Sequence, residues 1–180
     1  MGGLVGGNVC AVSASQSGRA GILPLLQETS LAAAQEIIRE VDQTNAFVVA
    51  KDEPDFSTWA FLGEFEREQD FHLFGLIARS EMVGFISVLP HAGQDALDIG
   101  PMYVRPRFRG RGWGRAQIAG VVEWAGARGT RRLYLRTWGQ NARVRHIVEK
   151  LGFRLDREIP NARIDGDSTV YYVLDMGALP

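Results

Sequence analysis

The sequence predicts an α/β fold: a mixed, mostly antiparallel central sheet of six to seven strands, flanked by about four helices. Short apolar segments bounded by turn residues read as strands, and longer segments with apolar residues at helical spacing lie between them. In its second half the chain reads strand, strand, strand, helix, strand, helix, strand, strand, which indicates a mixed sheet with helices on its faces. No linker divides the 180 residues, so we predict a single domain over residues 1–180.

The first half of the chain contains two predicted helices and one uncertain strand. Residues 9–13 are apolar and could form a first strand, although residues 1–16 could also be a loose tail. Ser30 can cap a first helix. Its apolar residues recur at helical spacing: Leu31, Ala34, Ile37, Ile38 and Val41. Asp55 or Ser57 can cap a second helix. Its apolar stripe consists of Trp59, Leu62 and Phe65.

The second half contains two further helices and most of the strands. The predicted strands cover residues 71–79, 82–90, 96–104, 133–135, 153–159 and 169–176. One helix opens at Gly112 and ends before Gly129. The other opens at Asn141 and stops at Gly152, which is typical of a left-handed glycine at a helix C-terminus. The last two strands form a hairpin with a long polar loop.

The charge of the chain is divided unevenly. Residues 1–90 hold 5 bases and 12 acids, whereas residues 91–180 hold 15 bases and 9 acids, which gives the formal total of -1. Only Lys51 and Lys150 are lysines, and the remaining 18 of the 20 bases are arginines, the better bidentate phosphate ligands. This asymmetry indicates a basic site and an acidic site on one body.

Several classes of protein are excluded by composition. No apolar run approaches the roughly 20 residues that span a bilayer, so we expect no membrane partner. The single Cys10 cannot form an intrachain disulfide, and the first base of the chain is Arg19, whereas a secretory signal begins with basic residues. A cytoplasmic location is therefore expected. We expect no metal site.

The most informative segment is the glycine-rich turn over residues 109–115, which follows a strand and opens a helix. Glycines allow a phosphate to approach the backbone N–H groups, and the helix N-terminus adds unpaired donors. Five arginines lie within eleven residues here, without an acid: Arg105, Arg107, Arg109, Arg111 and Arg115. The turn fits neither a P-loop, because Arg115 and Ala116 replace Lys-Ser/Thr, nor the G-x-G-x-x-G dinucleotide motif. Nucleic acid would need a recognised binding signature, which is missing, so it is not an expected partner.

Two motifs together carry a family resemblance. Arg109-x-x-Gly112-x-Gly114 after a strand resembles the acetyl-CoA pyrophosphate loop of the GNAT superfamily of N-acetyltransferases. Asn141, followed by the run 149–153 (Glu-Lys-Leu-Gly-Phe), resembles the next signature of that family. The resemblance covers about residues 71–176. It implies an acetyl-CoA-dependent N-acetyltransferase in which the strand 98–104 splays from the strand 133–138 to hold the cofactor arm.

The resemblance also implies roles for individual residues. Met102 would act in catalysis, with its backbone N–H donating to the thioester oxygen, and would lie against the cofactor. Val104 would pair with the pantetheine amides, and Asn141 and Arg145 would contact the cofactor arm. The pyrophosphate would be held by the backbone N–H groups of Arg109, Gly110, Arg111, Gly112, Trp113, Gly114 and Arg115. The sequence itself supports an interruption at residues 100–101, because proline removes a donor from a strand.

The catalytic groups are less clearly indicated. Asp98 is at the position where the family often has a glutamate that acts as base, and a base is useful because the substrate ammonium must lose a proton. The usual tyrosine that would protonate the thiolate is replaced by Val148. Four tyrosines remain as candidates, of which Tyr172 is assigned here: Tyr103, Tyr134, Tyr171 and Tyr172. Alternatively, the thiolate leaves without an acid.

The acceptor is expected to be a primary amine of a small cationic molecule. Acids and aromatic residues alternate over residues 52–70, and they would suit a cation by charge pairing and cation–π contact. Trp59, Glu66 and Asp70 are the assigned substrate-binding residues. Three alternatives remain open: a non-catalytic module that senses acyl-CoA, an enzyme that acetylates protein N-termini or lysines, and a nucleic-acid binder that uses the arginine cluster. Assembly as a homodimer is also open.

Overall fold

The computed structural model describes residues 25–44, 47, 49–92 and 95–178. In these residues, a seven-stranded sheet is flanked by four α-helices, which confirms the predicted fold class. The elements are β1 (Leu25–Thr29), α1 (Gln35–Gln43), α2 (Thr58–Phe65), β2 (His72–Ala78), β3 (Glu81–Pro90), β4 (Ala96–Val104), α3 (Trp113–Ala127), β5 (Arg132–Trp138), α4 (Ala142–Lys150), β6 (Arg154–Ile159) and β7 (Thr169–Asp175). Short 3₁₀ turns, Pro106–Phe108 and Met176–Ala178, follow β4 and β7.

The strands lie in the order β1-β2-β3-β4-β5-β7-β6. Every neighbouring pair is antiparallel except β4 and β5, which are parallel. A parallel pair needs a crossover connection, and α3 supplies it. The sheet is therefore mixed and mostly antiparallel, as predicted.

Helices cover both faces of the sheet, and each face has its own core. On the α3/α4 face, the buried residues include Phe74, Ile86, Leu97, Ile99, Ile118, Leu133, Leu135 and Val148. On the α1/α2 face, they include Ile37, Ile38, Leu62, Leu73, Phe85 and Tyr103. Side chains alternate between the two faces along each strand, so the face of one residue fixes that of its neighbours. Of the described helices, none is long and apolar enough to cross a membrane.

The strands of the first half differ most from prediction. The candidate strand at residues 9–13 lies outside the described residues. β1 was not predicted, because its pattern is weak: Leu26 is buried, whereas Gln27 and Glu28 are exposed on an edge strand. The strands and helices of the second half confirm their predictions, including the left-handed Gly152 (φ +91°) that ends α4.

Of the predicted helix caps of the first half, the one at Ser57 is confirmed, whereas Ser30 is wrong as the cap of α1, which begins at Gln35 with Ala34 as its N-cap. The Ser30 hydroxyl accepts a hydrogen bond from the Ala33 N–H at 3.1 Å, in a turn that leads into α1. Of the two candidate caps for α2, Ser57 is the one used. The Asp42 carboxylate at the end of α1 accepts from the Thr58 N–H at 2.7 Å and from the Ser57 hydroxyl at 2.8 Å, which ties the two helices together.

Candidate active site

β4 and β5 separate halfway along β4. Their parallel register runs from Ala96 opposite Arg132 to Ile99 opposite Leu135 and goes no further. Beyond Ile99, β4 continues to Val104 in register with β3, while β5 continues in register with β7. An open slot therefore lies between the two strands, as the family resemblance implied.

A β-bulge in β4 opens this slot. Gly100 and Pro101 together lie opposite the single β3 residue Ser87. The fully buried Ser87 hydroxyl donates to the Pro101 carbonyl oxygen at 3.0 Å. A Cβ at Gly100 would lie 2.6 Å from the Ser87 Oγ, so the bulge requires glycine there. The predicted interruption at residues 100–101 is confirmed, and Ser87 fixes its geometry.

The strand beyond the bulge turns backbone groups toward the slot. The Arg105 N–H donates to the Val83 carbonyl of β3 at 2.9 Å. Because backbone groups alternate in direction along a strand, the N–H groups of Met102 and Val104 face the other edge, where β5 has separated. The Val104 carbonyl also faces that edge, since it accepts from the Arg109 Nε at 2.8 Å. Met102 and Val104 therefore have the orientation that their predicted roles require.

The loop between β4 and α3 presents a row of backbone amides. Gly110 and Gly112 have φ angles of +77° and +80°, in the left-handed region that favours glycine. Gly112 caps α3, and the first N–H groups of a helix have no acceptor within it. Within the described part of the chain, the N–H groups of residues 110–115 donate to no protein acceptor outside α3. This row, at the positive end of a helix dipole, is suited to bind phosphate oxygens.

Two aromatic side chains hold the loop against the sheet. The rings of Phe108 and Trp113 stack with centroids 5.3 Å apart. Both pack on the apolar cluster that Leu76, Ala78 and Val83 form on β2 and β3. Trp113, assigned to the cofactor loop through its backbone, therefore also has a packing role that the sequence did not indicate.

The side chains of Arg105 and Arg107 are paired with carboxylates of this chain, so they are not available to a phosphate at the loop. Arg105 donates to three carboxylates at distances of 2.8 to 2.9 Å, those of Glu36, Glu40 and Glu81. Burial would lower the pKa of Arg105, but the three glutamates outweigh it and raise that pKa. Arg107 pairs with Glu81 as well. Arg105 fixes α1 to the end of β4, and both arginines pair with Glu81 at the start of β3, which is a structural role.

The amide row begins at Gly110, and this corrects the prediction for Arg109. The Arg109 N–H donates to the Pro106 carbonyl at 3.1 Å, and its guanidinium lies 5.2 Å from the centroid of the Tyr103 ring. Its backbone N–H is thus engaged within the loop. Arg111 and Arg115 are exposed and form no ion pair within the described residues. They are the two loop arginines whose side chains remain available to an anion.

Asn141 and Arg145 are held by the protein itself. The Asn141 side chain caps α4, where its Oδ1 accepts from the Val144 N–H at 3.3 Å and its Nδ2 donates to the Thr137 hydroxyl at 2.9 Å. Arg145 donates to the Gly139 carbonyl at 2.9 Å and to a tyrosine hydroxyl beneath α4. The Arg145 guanidinium is thus directed to the sheet, and its contact with the cofactor arm stays a prediction. Asn141 positions α4 beside the slot.

Tyr172 is the tyrosine whose hydroxyl accepts from the Arg145 Nε at 3.1 Å. It lies on β7, which β5 separates from β4. Its side chain is fully buried, and its hydroxyl donates to Glu149 at 2.8 Å. Burial raises the pKa of Tyr172. These contacts give Tyr172 a structural role, and its assignment as a catalytic acid stays a prediction. Val148, at the position of the usual acid, is fully buried in the apolar core.

Asp98 lies one residue before the strands separate. Its neighbours Leu97 and Ile99 belong to the core on the α3/α4 face, so Asp98 points to the α1/α2 face. One carboxylate oxygen is 2.8 Å from the Nδ1 of His91, whose ring stacks on Tyr134 with centroids 4.1 Å apart. The Asp98 side chain remains 37% exposed, so it can reach water or a ligand. His91 in turn lines a hollow that Asp70 and Trp124 also border, so the oriented Asp-His pair lies beside that hollow.

The three assigned acceptor residues are not brought together at the slot. Trp59 is half-buried in the core between α1 and α2, under the guanidinium of Arg39 at 5.6 Å. Glu66 is exposed at the C-terminal end of α2. Asp70 is exposed and borders a hollow beside Trp124, near the end of α3. The same hollow is lined by His91, which pairs with Asp98. The roles of Trp59, Glu66 and Asp70 in binding the acceptor stay predictions.

The wall beside the slot is built from two loops that are distant in sequence. Ala50 forms a β-bridge with Arg163, and the Lys51 N–H donates to the Ala162 carbonyl at 3.0 Å. Glu53 in the first loop is 3.6 Å from the guanidinium of Arg136 on β5. These contacts join the loop after α1 to the loop between β6 and β7, on the α1/α2 face.

Four side chains that lie in or beside the slot were not identified from the sequence: Ser87, His91, Arg136 and Arg163. A serine inside the apolar run 85–89 was the available signal for Ser87, because a buried hydroxyl needs an acceptor. His91, directly after a strand, and the arginines at positions 136 and 163 had no local signal, since their neighbours come from other elements.

Solved structures of other proteins share this fold. A GNAT-family protein from Desulfovibrio desulfuricans gives a TM-score of 0.67 at 22% identity, covering 85% of this chain and 99% of that one. The ribosomal-protein-S18-alanine N-acetyltransferase from Escherichia coli gives 0.68 at 20% identity, covering 87% and 96%. A protein from Salmonella typhimurium, solved with its cofactor acetyl-CoA, gives 0.72 at 16% identity, covering 87% and 96%.

Sequence comparison gives the family directly. No curated protein sequence gives a significant match to the chain. The model of the acetyltransferase (GNAT) family, in contrast, matches residues 35–153, which is more than half of the 180 residues and includes the slot, the amide row and α4. The chain therefore belongs to the acetyltransferase (GNAT) family.

Proposed function

We propose that this chain transfers an acetyl group from acetyl-CoA to the primary amine of a small molecule, by direct attack within a ternary complex. As a GNAT acetyltransferase, it takes the acetyl group from acetyl-CoA. One observation carries the proposal. The open slot between β4 and β5 has backbone N–H donors at its α3 end, and the accessible carboxylate of Asp98 points to the α1/α2 face. Two substrates could thus meet across the sheet.

The residues present fit acetyl-CoA. The amides of residues 110–115 have no acceptor outside α3 in the described structure and suit the pyrophosphate. The exposed guanidinium groups of Arg111 and Arg115 would add charge-assisted hydrogen bonds to phosphate oxygens. The slot-facing edge of Met102 and Val104 would pair with the amides of the cofactor arm. Asn141 would hold α4 at the other side of the arm.

The chemistry that we propose needs a neutral amine beside a thioester. Acetyl-CoA supplies a thioester carbonyl that an amine can attack. An ammonium of pKa near 10.4 must lose its proton first, which costs about 4.6 kcal/mol at pH 7. Asp98, with His91 holding one carboxylate oxygen, would take that proton directly or through water. The Met102 N–H would donate to the thioester oxygen as negative charge develops there.

The departing thiolate does not require an acid from this chain. Val148 fills the usual position of that acid with an apolar, buried side chain. A thiolate of pKa about 8.5 is a tolerable leaving group, and water can protonate it. The same residue supports the second candidate function, a module that binds acyl-CoA without turnover.

The acceptor that we propose is cationic at its amino group. The carboxylates beside the slot that would attract it are Asp98 and Glu53. We further propose a cytoplasmic location, because a single cysteine in the 180 residues fits a reducing compartment. A homodimer could form along β6, an edge strand whose Leu155 and Ile159 are exposed. Sedimentation of the purified chain would test that contact.

The deciding experiment is an acceptor screen. The chain is incubated with acetyl-CoA and a panel of small amines, lysine peptides and peptides with free N-termini, while free CoA thiol is measured. We expect amine-dependent thiol release above the hydrolysis background, with small amines preferred over peptides. Tight acetyl-CoA binding without acceptor-dependent release would favour the sensing module, and preference for a peptide would assign a protein acceptor.

A further inference from the structure

His91 and Asp98 form a hydrogen-bonded pair in which each side chain keeps one polar atom free. The Nδ1 of His91 is 2.8 Å from the Oδ2 of Asp98, and the imidazole lies flat on the ring of Tyr134, with centroids 4.1 Å and planes 13° apart. The two side chains are 31% and 37% exposed. Among the described residues, neither the Nε2 of His91 nor the Oδ1 of Asp98 has a hydrogen-bond partner. The pair is therefore fixed on one side and open on the other.

The hydrogen bond between the two side chains determines which nitrogen of His91 is free to act as a base. An ionised carboxylate only accepts hydrogen bonds, so a neutral imidazole donates its Nδ1–H to the Oδ2 of Asp98 and leaves Nε2 without a proton. His91 also lines the hollow that Asp70 and Trp124 border, so water can reach the imidazole. Nε2 is thus an accessible proton acceptor, held beside the carboxylate that the proposed reaction uses.

Asp98 is the charged group in closest contact with this imidazole. Tyr134 on β5 lies beneath the ring. The other titratable or charged residues that line the hollow are Asp70, His72, Asp95 and Arg128. Two of these, His72 and Arg128, have other partners in the structure. Within the described residues, Asp98 alone is at hydrogen-bonding distance from the imidazole, so a proton on His91 is coupled to Asp98.

A carboxylate and an imidazole together are a better base at neutral pH than the carboxylate alone. The charge of an imidazole changes between about pH 5 and 8, and a general base is most effective when it binds a proton near the working pH. A carboxylate that accepts the Nδ1–H also orients the ring and stabilises the imidazolium formed when Nε2 takes a proton. Asp98 and His91 have this arrangement.

We propose that His91 receives, through Asp98, the proton that the acceptor amine gives up, so that the pair serves as the base of the reaction. This inference rests on the proposed function, because it assigns a second group to the proton transfer in which Asp98 takes part. His91 is thus a positioning residue that also stores the proton, and Asp98 remains the group that meets the amine.

Each step moves one proton and leaves the charges balanced. The acceptor nitrogen keeps the electron pair of its N–H bond, and the proton binds the Oδ1 of Asp98. A solvent water then transfers a proton from Oδ1 to the Nε2 of His91, which converts a carboxylic acid and an imidazole into a carboxylate and an imidazolium. The hydrogen bond from Nδ1 to Oδ2 is kept throughout. The Nε2 proton finally leaves to water in the hollow.

Chemical rescue tests whether His91 holds the proton. Thiol release from acetyl-CoA is measured with the acceptor that the screen identifies. His91→Gly should lower kcat/KM for the amine about 10- to 100-fold and leave the Kd for acetyl-CoA unchanged. Imidazole added to this variant should restore the rate about fivefold or more, whereas a buffer of the same pH without imidazole should not. No recovery with imidazole would overturn the proposal.

His91→Gln separates storage of the proton from positioning. The glutamine amide can donate to the Oδ2 of Asp98 but cannot take a proton, so its rate should stay as low as that of His91→Gly without imidazole. His146→Gln is the matched control, because His146 is exposed on α4 and should show an unchanged rate. A rate in His91→Gln close to the original one would mean that His91 only positions Asp98, and this too would overturn the proposal.

A measurement without turnover distinguishes failure of this inference from failure of the proposed function. In the full chain, nitrogen NMR of the histidine side chains shows which ring nitrogen is protonated. We expect the proton of His91 to be on Nδ1 above neutral pH, and this preference to be lost in Asp98→Ala. That result without amine-dependent thiol release would support the pair while the turnover proposal fails. A proton on Nε2 in the original chain would contradict the inference whether or not turnover occurs.

Discussion

The two sides of the slot are built in different ways. On the α3/α4 side, the binding groups are backbone amides in one continuous stretch, residues 110–115, shaped by two left-handed glycines. On the α1/α2 side, the groups proposed to receive the acceptor are side chains from separate elements: Asp98 on β4, His91 after β3 and Glu53 in the loop after α1. The first side depends on local conformation, and the second depends on the whole fold.

This difference indicates which side is tied to the shared chemistry. A backbone cradle is independent of side-chain identity except at its glycines, so it suits a cofactor that a whole family has in common. Side chains from distant loops can be exchanged without altering the sheet, so they suit an acceptor that differs between proteins. The predictions below test whether the two sides can be altered separately.

The largest effect is expected from Gly112→Val. A side chain at φ +80° is strained by about 1–2 kcal/mol, and Cβ atoms would project where the phosphates approach. Among the described residues, apart from the immediate chain neighbours, no atom lies within 4 Å of that added Cβ, so the damage should fall on the ligand rather than on the core. We expect the Kd for acetyl-CoA to rise about 100-fold or more, as measured by calorimetry.

Gly63→Ala is the matched control for this variant. Gly63 is in α2, its added Cβ also meets no atom within 4 Å, and its φ is not in the left-handed region. Alanine should therefore stabilise the helix slightly and leave acetyl-CoA binding unchanged. Unaltered affinity in Gly112→Val would remove the amide row from the cofactor site.

A smaller effect, confined to turnover, is expected from Asp98→Asn. The amide cannot take a proton from the ammonium, so kcat should fall roughly 100-fold near neutral pH, while the Kd for acetyl-CoA is unchanged. The deficit should shrink as pH rises toward the pKa of the amine, because more of the acceptor is already neutral. Asp156→Asn, on the exposed β6, is the control. A normal rate in Asp98→Asn would show that the base is elsewhere.

A moderate effect on turnover is expected from Ser87→Ala. The loss of the hydrogen bond to Pro101 should lower stability by about 1 kcal/mol and loosen the bulge that orients Met102, with a kcat decrease of about tenfold. Ser57→Ala removes a helix-capping hydroxyl far from the bulge and should cost similar stability without the kcat change. Equal kcat values in the two variants would argue against a positioning role for Ser87.

The elements that could be predicted from the sequence were those with local signals. Alternating strands, a capping asparagine and a glycine that ends a helix each have a recognisable pattern, and the Gly100-Pro101 pair indicated the bulge. β1 escaped prediction because an edge strand with one described buried side chain, Leu26, has almost no periodicity. Local pattern thus predicted the frame of the sheet and the cofactor loop.

The acceptor side could not be predicted in the same way. The acidic segment 52–70 drew attention by composition, which did not show that Glu53 would approach Arg136 or that Asp70 would border the same hollow as His91. The pairing of Asp98 with His91, and of Ala50 with Arg163, depends on which strands and loops become neighbours. Those contacts follow from topology, which composition does not contain.

The smallest effect on turnover is expected from Tyr172→Phe, and it separates a structural tyrosine from a catalytic one. The variant removes the hydroxyl that accepts from Arg145 and donates to Glu149 on the side of β5 away from β4. Stability should fall by about 1 kcal/mol, or about 2–4 °C in Tm for a chain of this size. Because β5 separates Tyr172 from the slot, kcat should stay within about threefold of its original value. A loss of 100-fold or more, with unchanged acetyl-CoA affinity, would restore Tyr172 as the acid and would show that the two sides of the slot are coupled through α4.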